Sequence, residues 1–134
     1  MIVIVCVDNK NGVLFNRRRQ SSDRILRERI LAMTKDTRLW MNAYSAGQFV
    51  ENAEIFVDEE FLAKAKAGEY CFVENVDFLP FLDTIEKLVI FRWNTVYPSD
   101  MWFPAHILEG KVPLSVQEFA GNSHPKITEE IYEW

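Results

Sequence analysis

Histidine and cysteine are scarce in this sequence, which has two of each in 134 residues. Cys6 and Cys71 lie within apolar segments, which indicates small buried thiols rather than a disulfide framework. His106 and His124 are far apart and lack metal-ligand spacing, so we expect no metal centre and a structural surface role for each. The sequence also has no Gly-x-Ser-x-Gly motif and no cysteine with an activating neighbour, so it predicts no nucleophilic catalysis.

Long apolar runs are missing as well. The opening run, residues 1–7, is too short to span a bilayer. It has neither a basic lead nor a small-residue cleavage site, so we interpret it as a buried strand and not as an export signal. We therefore expect a cytoplasmic protein with no membrane partner.

Positive charge is in deficit, with 15 Lys and Arg against 20 Asp and Glu and a net charge of −5. This balance argues against general nucleic-acid binding, which needs a surplus of cations over a whole face. The exception is NRRRQSSD, residues 16–23, where three arginines precede an amide and two hydroxyls. Arginine forks bind carboxylates and phosphates at two points, so the segment predicts anion recognition. A solvated loop paired with neighbours such as Glu28 is the alternative.

Apolar runs and helical periodicities alternate along the chain, which predicts one domain, residues 1–134, with a largely parallel sheet covered on both faces. The predicted strands are 1–7, 37–42, 53–58, 69–75 and 87–94. The predicted helices are 23–34, capped by Ser21, Ser22 or Asp23, a brief one within 43–52 opened by Ser45, 59–68, and 77–87 interrupted by Pro80. Two alternating segments around a turn-rich centre predict a hairpin within 112–134.

Five short motifs, taken in order, resemble those of dihydrofolate reductases and span nearly the whole chain. They are IVCVDNKNGVLF at 4–15, LWMNAYS at 39–45, KLVIFRW at 87–93, SDMWFP at 99–104 and NSHPKITEEIYEW at 122–134. The resemblance implies a three-layer αβα fold with a mixed, mostly parallel sheet and a C-terminal antiparallel hairpin. It also implies hydride transfer from NADPH to a pterin across the carboxyl ends of parallel strands.

The positions that would hold the cofactor depart from the family pattern. Glu74 and Asn75 stand where the family has a Gly-Gly pair, which places bulk and negative charge where a diphosphate would approach. The Met-Gly-Arg-x-Thr turn becomes residues 41–45, so only the hydroxyl of Ser45 survives, next to Tyr44. The middle of the chain has room for one strand–helix–strand passage but not for a further strand.

The positions that would hold the pterin also depart from it. The carboxylate that orients the pterin in the family matches Leu26, and Asp23 could replace it only if the alignment shifts. The threonine near that acid matches Phe91. The family's Leu-Pro-Trp segment is replaced by polar residues, namely Arg19, Gln20, Ser21 and Ser22.

These departures favour a dihydrofolate-reductase-like protein without NADPH-dependent reductase activity and without a cofactor, which binds a small anionic ligand or a protein partner in the old cleft. The predicted ligand residues are Arg19, Gln20, Ser22, Tyr44 and Ser45. One alternative is an active reductase that uses NADPH, with Asp23 as the catalytic acid. Another is a structural interaction module.

The tryptophans and the loop aspartate carry the remaining expectations. Trp40 and Trp93 should be core residues, whereas Trp102 and Trp134 fit either the core or an exposed patch. Asp100 is expected to shape its loop and to have no chemical role. A shortened sheet leaves an edge unprotected, which predicts a homo-oligomer.

Overall fold

A seven-stranded sheet forms the centre of the computed structural model, which describes residues 1–134. Ten strands occur in all: β1 Ile2–Val7, β2 Gly12–Phe15, β3 Arg18–Arg19, β4 Leu39–Met41, β5 Phe56–Val57, β6 Tyr70–Phe72, β7 Lys87–Arg92, β8 Met101–Trp102, β9 Ser115–Phe119 and β10 Ile127–Glu133. The order in the large sheet is β5-β4-β6-β1-β7-β10-β9. Neighbours from β5 to β7 are parallel, whereas β10 runs antiparallel to β7 and β9. The predicted fold class is confirmed.

The helices are short apart from the first: α1 Arg24–Met33, α2 Ala43–Ala46, α3 Phe61–Lys64, and the 3-10 helices Leu79–Thr84 and Ala105–Leu108. Asp23 caps α1 with a side-chain oxygen. Two predicted boundaries are wrong. Ser45 does not open α2, because the Asn42 side chain accepts from the Ser45 amide and is the cap. Pro80 does not interrupt its helix, because it lies in the first turn, where no amide is needed.

The two faces of the sheet bury separate apolar clusters because side chains alternate along each strand. On one face, β1 and β7 pack against α3 and the Leu79–Thr84 helix through Val3, Val5, Leu88, Ile90 and Phe61. On the other face, they pack against α1 through Ile2, Ile4, Val89, Leu26 and Ile30. These clusters give the three predicted layers and fix the carboxyl ends of the strands in space.

A three-stranded sheet of order β3-β2-β8 lies apart from the large one and was not predicted. Its β2–β3 hairpin carries the arginine segment, and its turn residues Asn16 and Arg17 have φ of 51° and 61°. Asp100 accepts a hydrogen bond from the Asn16 amide at 3.0 Å, which is the loop-shaping role expected for it. The hairpin thus holds Arg19 near the ends of β1 and β6.

Candidate functional site

The candidate site lies at the carboxyl end of β1, whose two neighbours in the sheet are β6 and β7. β6 lies on one side of β1, and the next strand in the sequence, β7, lies on the other side. The strand order therefore reverses at β1, and such a topological switch point is the usual ligand crevice of open α/β sheets. Cys6, Glu74 and Trp93 mark the ends of the three strands here, and we call the space between them the crevice.

An ion pair crosses the crevice. The Arg19 Nε and Nη2 atoms donate to the two Glu74 carboxylate oxygens at 3.0 and 3.2 Å. The side chains are 25% and 9% exposed, so both charges are largely withdrawn from water. Burial alone would lower the pKa of Arg19, but the hydrogen bonds and charge of Glu74 raise it, so the guanidinium stays charged. The pair joins the β2–β3 hairpin to the end of β6.

Tyr44 also holds Arg19 in place, through three contacts. Its hydroxyl accepts from the Arg19 amide at 2.7 Å, and its carbonyl accepts from Nη2 at 3.0 Å. The guanidinium carbon also lies 4.5 Å from the centre of the Tyr44 ring, within cation–π range. The sequence analysis assigned Arg19 and Tyr44 to the ligand site and Glu74 to the cofactor position, and the structure brings the three residues together around Arg19.

Little space remains in the crevice. The cavity between Cys6, Arg19, Ser21, Glu74 and Trp93 has a volume of about 10 Å³. A single water needs roughly 10–15 Å³ by the same kind of measure, so no ring fits between these five residues while the ion pair is closed. A separate apolar cavity of about 280 Å³ lies beside Glu74 and is lined by Val5, Val73 and Phe103 among others. Burial and the Glu74 charge raise the pKa of the Cys6 thiol, which keeps it protonated.

The two residues that match the family's Gly-Gly pair are both occupied. Glu74 binds Arg19, and the Asn75 side-chain oxygen accepts from the Asn42 amide group at 2.8 Å. The fold family implies NADPH here, yet a carboxylate and a bridging guanidinium stand where its diphosphate would lie. The residues present do not fit that cofactor.

Gln20 is held by the buried carboxylate of Asp8. Its Nε2 donates to Asp8, Ser99 and the Pro98 carbonyl, while its buried Oε1 has no partner. Burial would raise the pKa of Asp8, but hydrogen bonds from three amides and Ser99 lower it. Gly12 is required beside them, because an added Cβ would lie 1.9 Å from the Ser99 hydroxyl oxygen.

Asp23 accepts six hydrogen bonds. One oxygen binds two amides of α1 and the Asn122 amide, and the other binds the amide and hydroxyl of Ser123 and His124 Nδ1. A carboxylate has about four lone-pair positions, so this one is saturated. The catalytic role in the reductase alternative stays a prediction, and a pterin would have to displace some of these donors.

The other predicted ligand residues turn away from the crevice. Ser45 is fully buried, and its hydroxyl has no partner. The Ser22 hydroxyl accepts from Arg27 at 2.6 Å and donates to Gln48 at 3.2 Å. Glu28, the expected partner of the arginine segment, instead pairs with Arg24 within α1.

A second, open depression borders the crevice on its outer side. We call it the basic groove, and its volume is about 590 Å³. It is lined by Phe15, Asn16, Arg18, Arg19, Gln20, Tyr97 and Pro98. Arg17 and Arg18 are exposed and form no ion pair within the chain. Arg17 also occupies the left-handed region, a strained conformation for a residue other than glycine.

His124 is buried, and the surface position expected for it is wrong. Its side chain is 6% exposed and its ring stacks on Trp93 with the centres 4.5 Å apart. Nδ1 lies 2.9 Å from an Asp23 oxygen, and Nε2 lies 3.0 Å from the hydroxyls of both Ser21 and Tyr97. Asp23 and His124 are 101 positions apart in the sequence, so no local pattern could reveal this cluster.

Two of the four tryptophans are buried and two are exposed. Trp40 and Trp93 are buried, whereas Trp102 is 55% exposed at the rim of an apolar cavity of about 280 Å³. Trp134 is 39% exposed and packs under the Lys111 ammonium group. His106 is exposed, as expected.

Two classes of site find no counterpart in the structure. No group of three His, Cys, Asp or Glu side chains is placed to hold a metal ion. No helix has the length and apolar character needed to cross a bilayer.

The geometry therefore defines an α/β protein whose candidate site lies at the carboxyl ends of parallel strands. No protein-family model and no curated protein matches the sequence. Among solved structures, the dihydrofolate reductase from Enterococcus faecalis, complexed with NADP(H) and RAB-propyl, is similar, with a TM-score of 0.65 and 13% identity. The match covers 98% of this chain and 94% of that one. The chain has a dihydrofolate-reductase-like fold.

Proposed function

We propose that this protein is a ligand-binding member of the dihydrofolate-reductase-like fold that has no NADPH-dependent reductase activity, and that it binds a small anionic ligand in the basic groove. The observation that carries the proposal is the Arg19–Glu74 ion pair. It reduces the space between Cys6, Glu74 and Trp93 to about 10 Å³, and the cavity of about 280 Å³ that stays open beside Glu74 is mostly apolar.

The ion pair across the crevice argues against hydride transfer. That reaction requires two flat rings in contact at the ends of the strands, and both would compete with Arg19 and Glu74 for the same space. The carboxylate would also repel the diphosphate of the cofactor. Proteins of one fold have many different activities, so similarity of fold is not evidence that this protein has reductase activity.

The basic groove has the chemistry of an anion site. Arg18 presents an unpaired guanidinium fork at its wall, and Arg17 adds a second at the hairpin tip. The positive φ of Asn16 and Arg17 is that of a tight two-residue turn, which places Arg17 at the tip of the hairpin beside the groove.

Calorimetry with inorganic phosphate, pyrophosphate and NADPH tests this function. We expect saturable binding of phosphate or pyrophosphate, and Arg18→Ala should weaken it by roughly ten-fold or more, since a hydrogen bond to a charged group contributes about 1.5–3 kcal/mol. Arg38→Ala is the matched control, because Arg38 lies before β4 and packs on Phe56, away from the groove. It should leave the affinity unchanged.

Two results would contradict the proposal. One is saturable NADPH binding together with oxidation of NADPH by dihydrofolate, which would establish the reductase. The other is the absence of any phosphate or pyrophosphate binding that depends on Arg18.

A second candidate function is self-association, with a second copy of the chain as the partner. β9 is an edge strand of the large sheet, and Val116 on it is 54% exposed, preceded by Leu114 at 64% and Val112 at 85%. Edge strands usually carry charges that prevent pairing, and although Glu118 is one such charge in β9, the exposed residues at the start of this edge are apolar. Two antiparallel β9 strands would pair symmetrically.

Sedimentation velocity measures this association directly. We expect a dimer that Val116→Lys converts to a monomer, because the added charge would face its symmetry mate across the edge. Val50→Lys, at another exposed valine in a remote loop, should leave the dimer intact. A wild-type monomer at high concentration would exclude self-association through this edge.

A further inference from the structure

We propose that the apolar cavity of about 280 Å³ binds a small aromatic amine, with the ring of the amine inside the cavity and its ammonium group at the rim. This binding activity is separate from the anion site in the basic groove. The cavity lies between the end of β6 and the segment that carries β8. Its wall includes Val5, Val73, Asp77, Phe78, Trp102 and Phe103.

Four buried side chains form the floor of the cavity. Val5, Val73, Phe78 and Phe103 are each at most 5% exposed. The rings of Phe78 and Phe103 meet edge to face, with their centres 6.0 Å apart and an angle of 69° between the planes. The Phe103 amide donates to the Asn11 carbonyl at 2.8 Å, which fixes the backbone of this segment. The floor is therefore shaped before a ligand arrives, and binding requires little further ordering of the protein.

The volume of the cavity determines the size of the ligand. Native cores contain few voids larger than a water molecule, so about 280 Å³ is too much space for a packing defect. An apolar cavity of about 150 Å³ is enough to bind benzene, whereas pockets for drug-sized ligands usually have about 300–1,000 Å³. The cavity therefore suits one aromatic ring with a short side chain.

The charged groups that line the cavity are all acidic. They are the carboxylates of Glu74 and Asp77, and no Lys, Arg or His side chain lies among them. Glu74 is already neutralised by Arg19. Asp77 is exposed and forms no ion pair, and one of its oxygens accepts from the Leu79 amide at 3.0 Å. Its other oxygen is free to accept from an ammonium group, so the rim favours an amine and disfavours a carboxylate.

Trp102 provides a second contact for a cation at the rim. Its side chain is 55% exposed and has no aromatic or cationic partner within the chain. The other three tryptophans each have such a partner, namely Phe56 for Trp40, His124 for Trp93 and Lys111 for Trp134. The face of an indole attracts cations more strongly than the other side-chain rings do, so the Trp102 face is available to an ammonium group beside Asp77.

Calorimetry with phenethylamine and 3-phenylpropionate tests the proposal, because the two compounds share a ring and a two-carbon linker and differ in charge. We expect saturable binding of phenethylamine, and 3-phenylpropionate should bind at least roughly ten-fold more weakly. Asp77→Asn should weaken phenethylamine binding by roughly two- to five-fold, the effect of an exposed charge pair. Asp83→Asn is the matched control, because Asp83 is an exposed carboxylate of the next 3-10 helix that does not line the cavity, and it should leave the affinity unchanged.

Two further variants locate the bound ring. Val76→Phe adds a ring to the cavity wall and should abolish phenethylamine binding, whereas Val50→Phe, at an exposed valine of a remote loop, should preserve it. Trp102→Phe should remove the change in tryptophan fluorescence that phenethylamine causes, while calorimetry still detects binding. Thermal unfolding checks that each variant is folded. Phosphate binding should be unchanged in Val76→Phe, so the cavity and the basic groove are tested separately.

Three results would overturn the proposal. The first is the absence of saturable phenethylamine binding. The second is binding of 3-phenylpropionate that equals or exceeds that of phenethylamine, which would mean that Asp77 does not select the charge of the ligand. The third is unchanged phenethylamine binding by folded Val76→Phe, which would place the amine outside the cavity.

Discussion

Asp23→Ala is expected to lower the free energy of unfolding by about 3–5 kcal/mol, the largest stability effect of any single substitution considered for this chain. The variant removes the cap of α1, which alone is worth roughly 0.5–2 kcal/mol. It also leaves the amides of Asn122 and Ser123 and the His124 ring without an acceptor in a buried place. Chemical denaturation of the two proteins measures the difference.

The matched control is Asp36→Ala, which removes an exposed carboxylate and should change stability by less than about 0.5 kcal/mol. A loss below about 1 kcal/mol for Asp23→Ala would contradict the role of this carboxylate as the link between α1 and the turn before β10.

The same carboxylate should make the fold sensitive to acid. Burial would raise the pKa of Asp23, but hydrogen bonds from Asn122, His124, Ser123 and Leu26 outweigh it and hold the pKa well below the usual value. A carboxylate whose pKa is lower in the folded than in the unfolded state stabilises the fold fully at pH values above the unfolded pKa, about 3.9 for aspartate. That stabilisation is lost as the pH falls from there toward the folded-state pKa. Stability should therefore decline below about pH 4, and Asp23→Asn should flatten that decline.

Glu74→Gln is expected to lower the free energy of unfolding by about 1–3 kcal/mol, because it leaves the Arg19 charge largely buried without its partner. Breaking a fully buried pair costs more, and the quarter exposure of Arg19 lets water offset part of the loss. A double-mutant cycle with Arg19→Met isolates the pair. The coupling energy should exceed about 1 kcal/mol.

An exposed ion pair on α1 is the control for this cycle. Arg24 and Glu28 are 51% and 50% exposed and stand four residues apart, so their coupling should be about 0.5 kcal/mol or less. Equal coupling in the two cycles would mean that the pair in the crevice is solvated and that the crevice is more open than the distances imply.

Regular elements with long apolar patterns could be predicted from the sequence, and short ones could not. β1 and β7 are six residues each with continuous apolar character, and α1 has a capping aspartate and helical spacing. β3 and β8 have two residues each, too few for any periodicity, and they exist because tertiary contacts pair them with β2. The unpredicted second sheet follows from such contacts.

The candidate site was predictable where a motif marked it. The register set by the short motifs assigned Arg19 and Tyr44 to a ligand site and Glu74 to the position of the family's Gly-Gly pair. It could not reveal that Arg19 and Glu74, 55 residues apart, bind each other and close the crevice. The cluster of Ser21, Asp23 and His124 had no motif, since only the folded sheet sets the turn before β10 against the start of α1.

The hydrogen bonds between Asp23 and residues 122–124 also set an order for folding during synthesis. Translation delivers α1 and its cap almost a hundred residues before the turn that must bind it. β7 is likewise synthesised before β10, the strand that lies between β7 and the edge strand β9 in the sheet. Until the β9–β10 hairpin has left the ribosome, Asp23 lacks its partners in residues 122–124 and the central sheet lacks two strands, so we expect cooperative closure once that hairpin has emerged rather than stepwise folding.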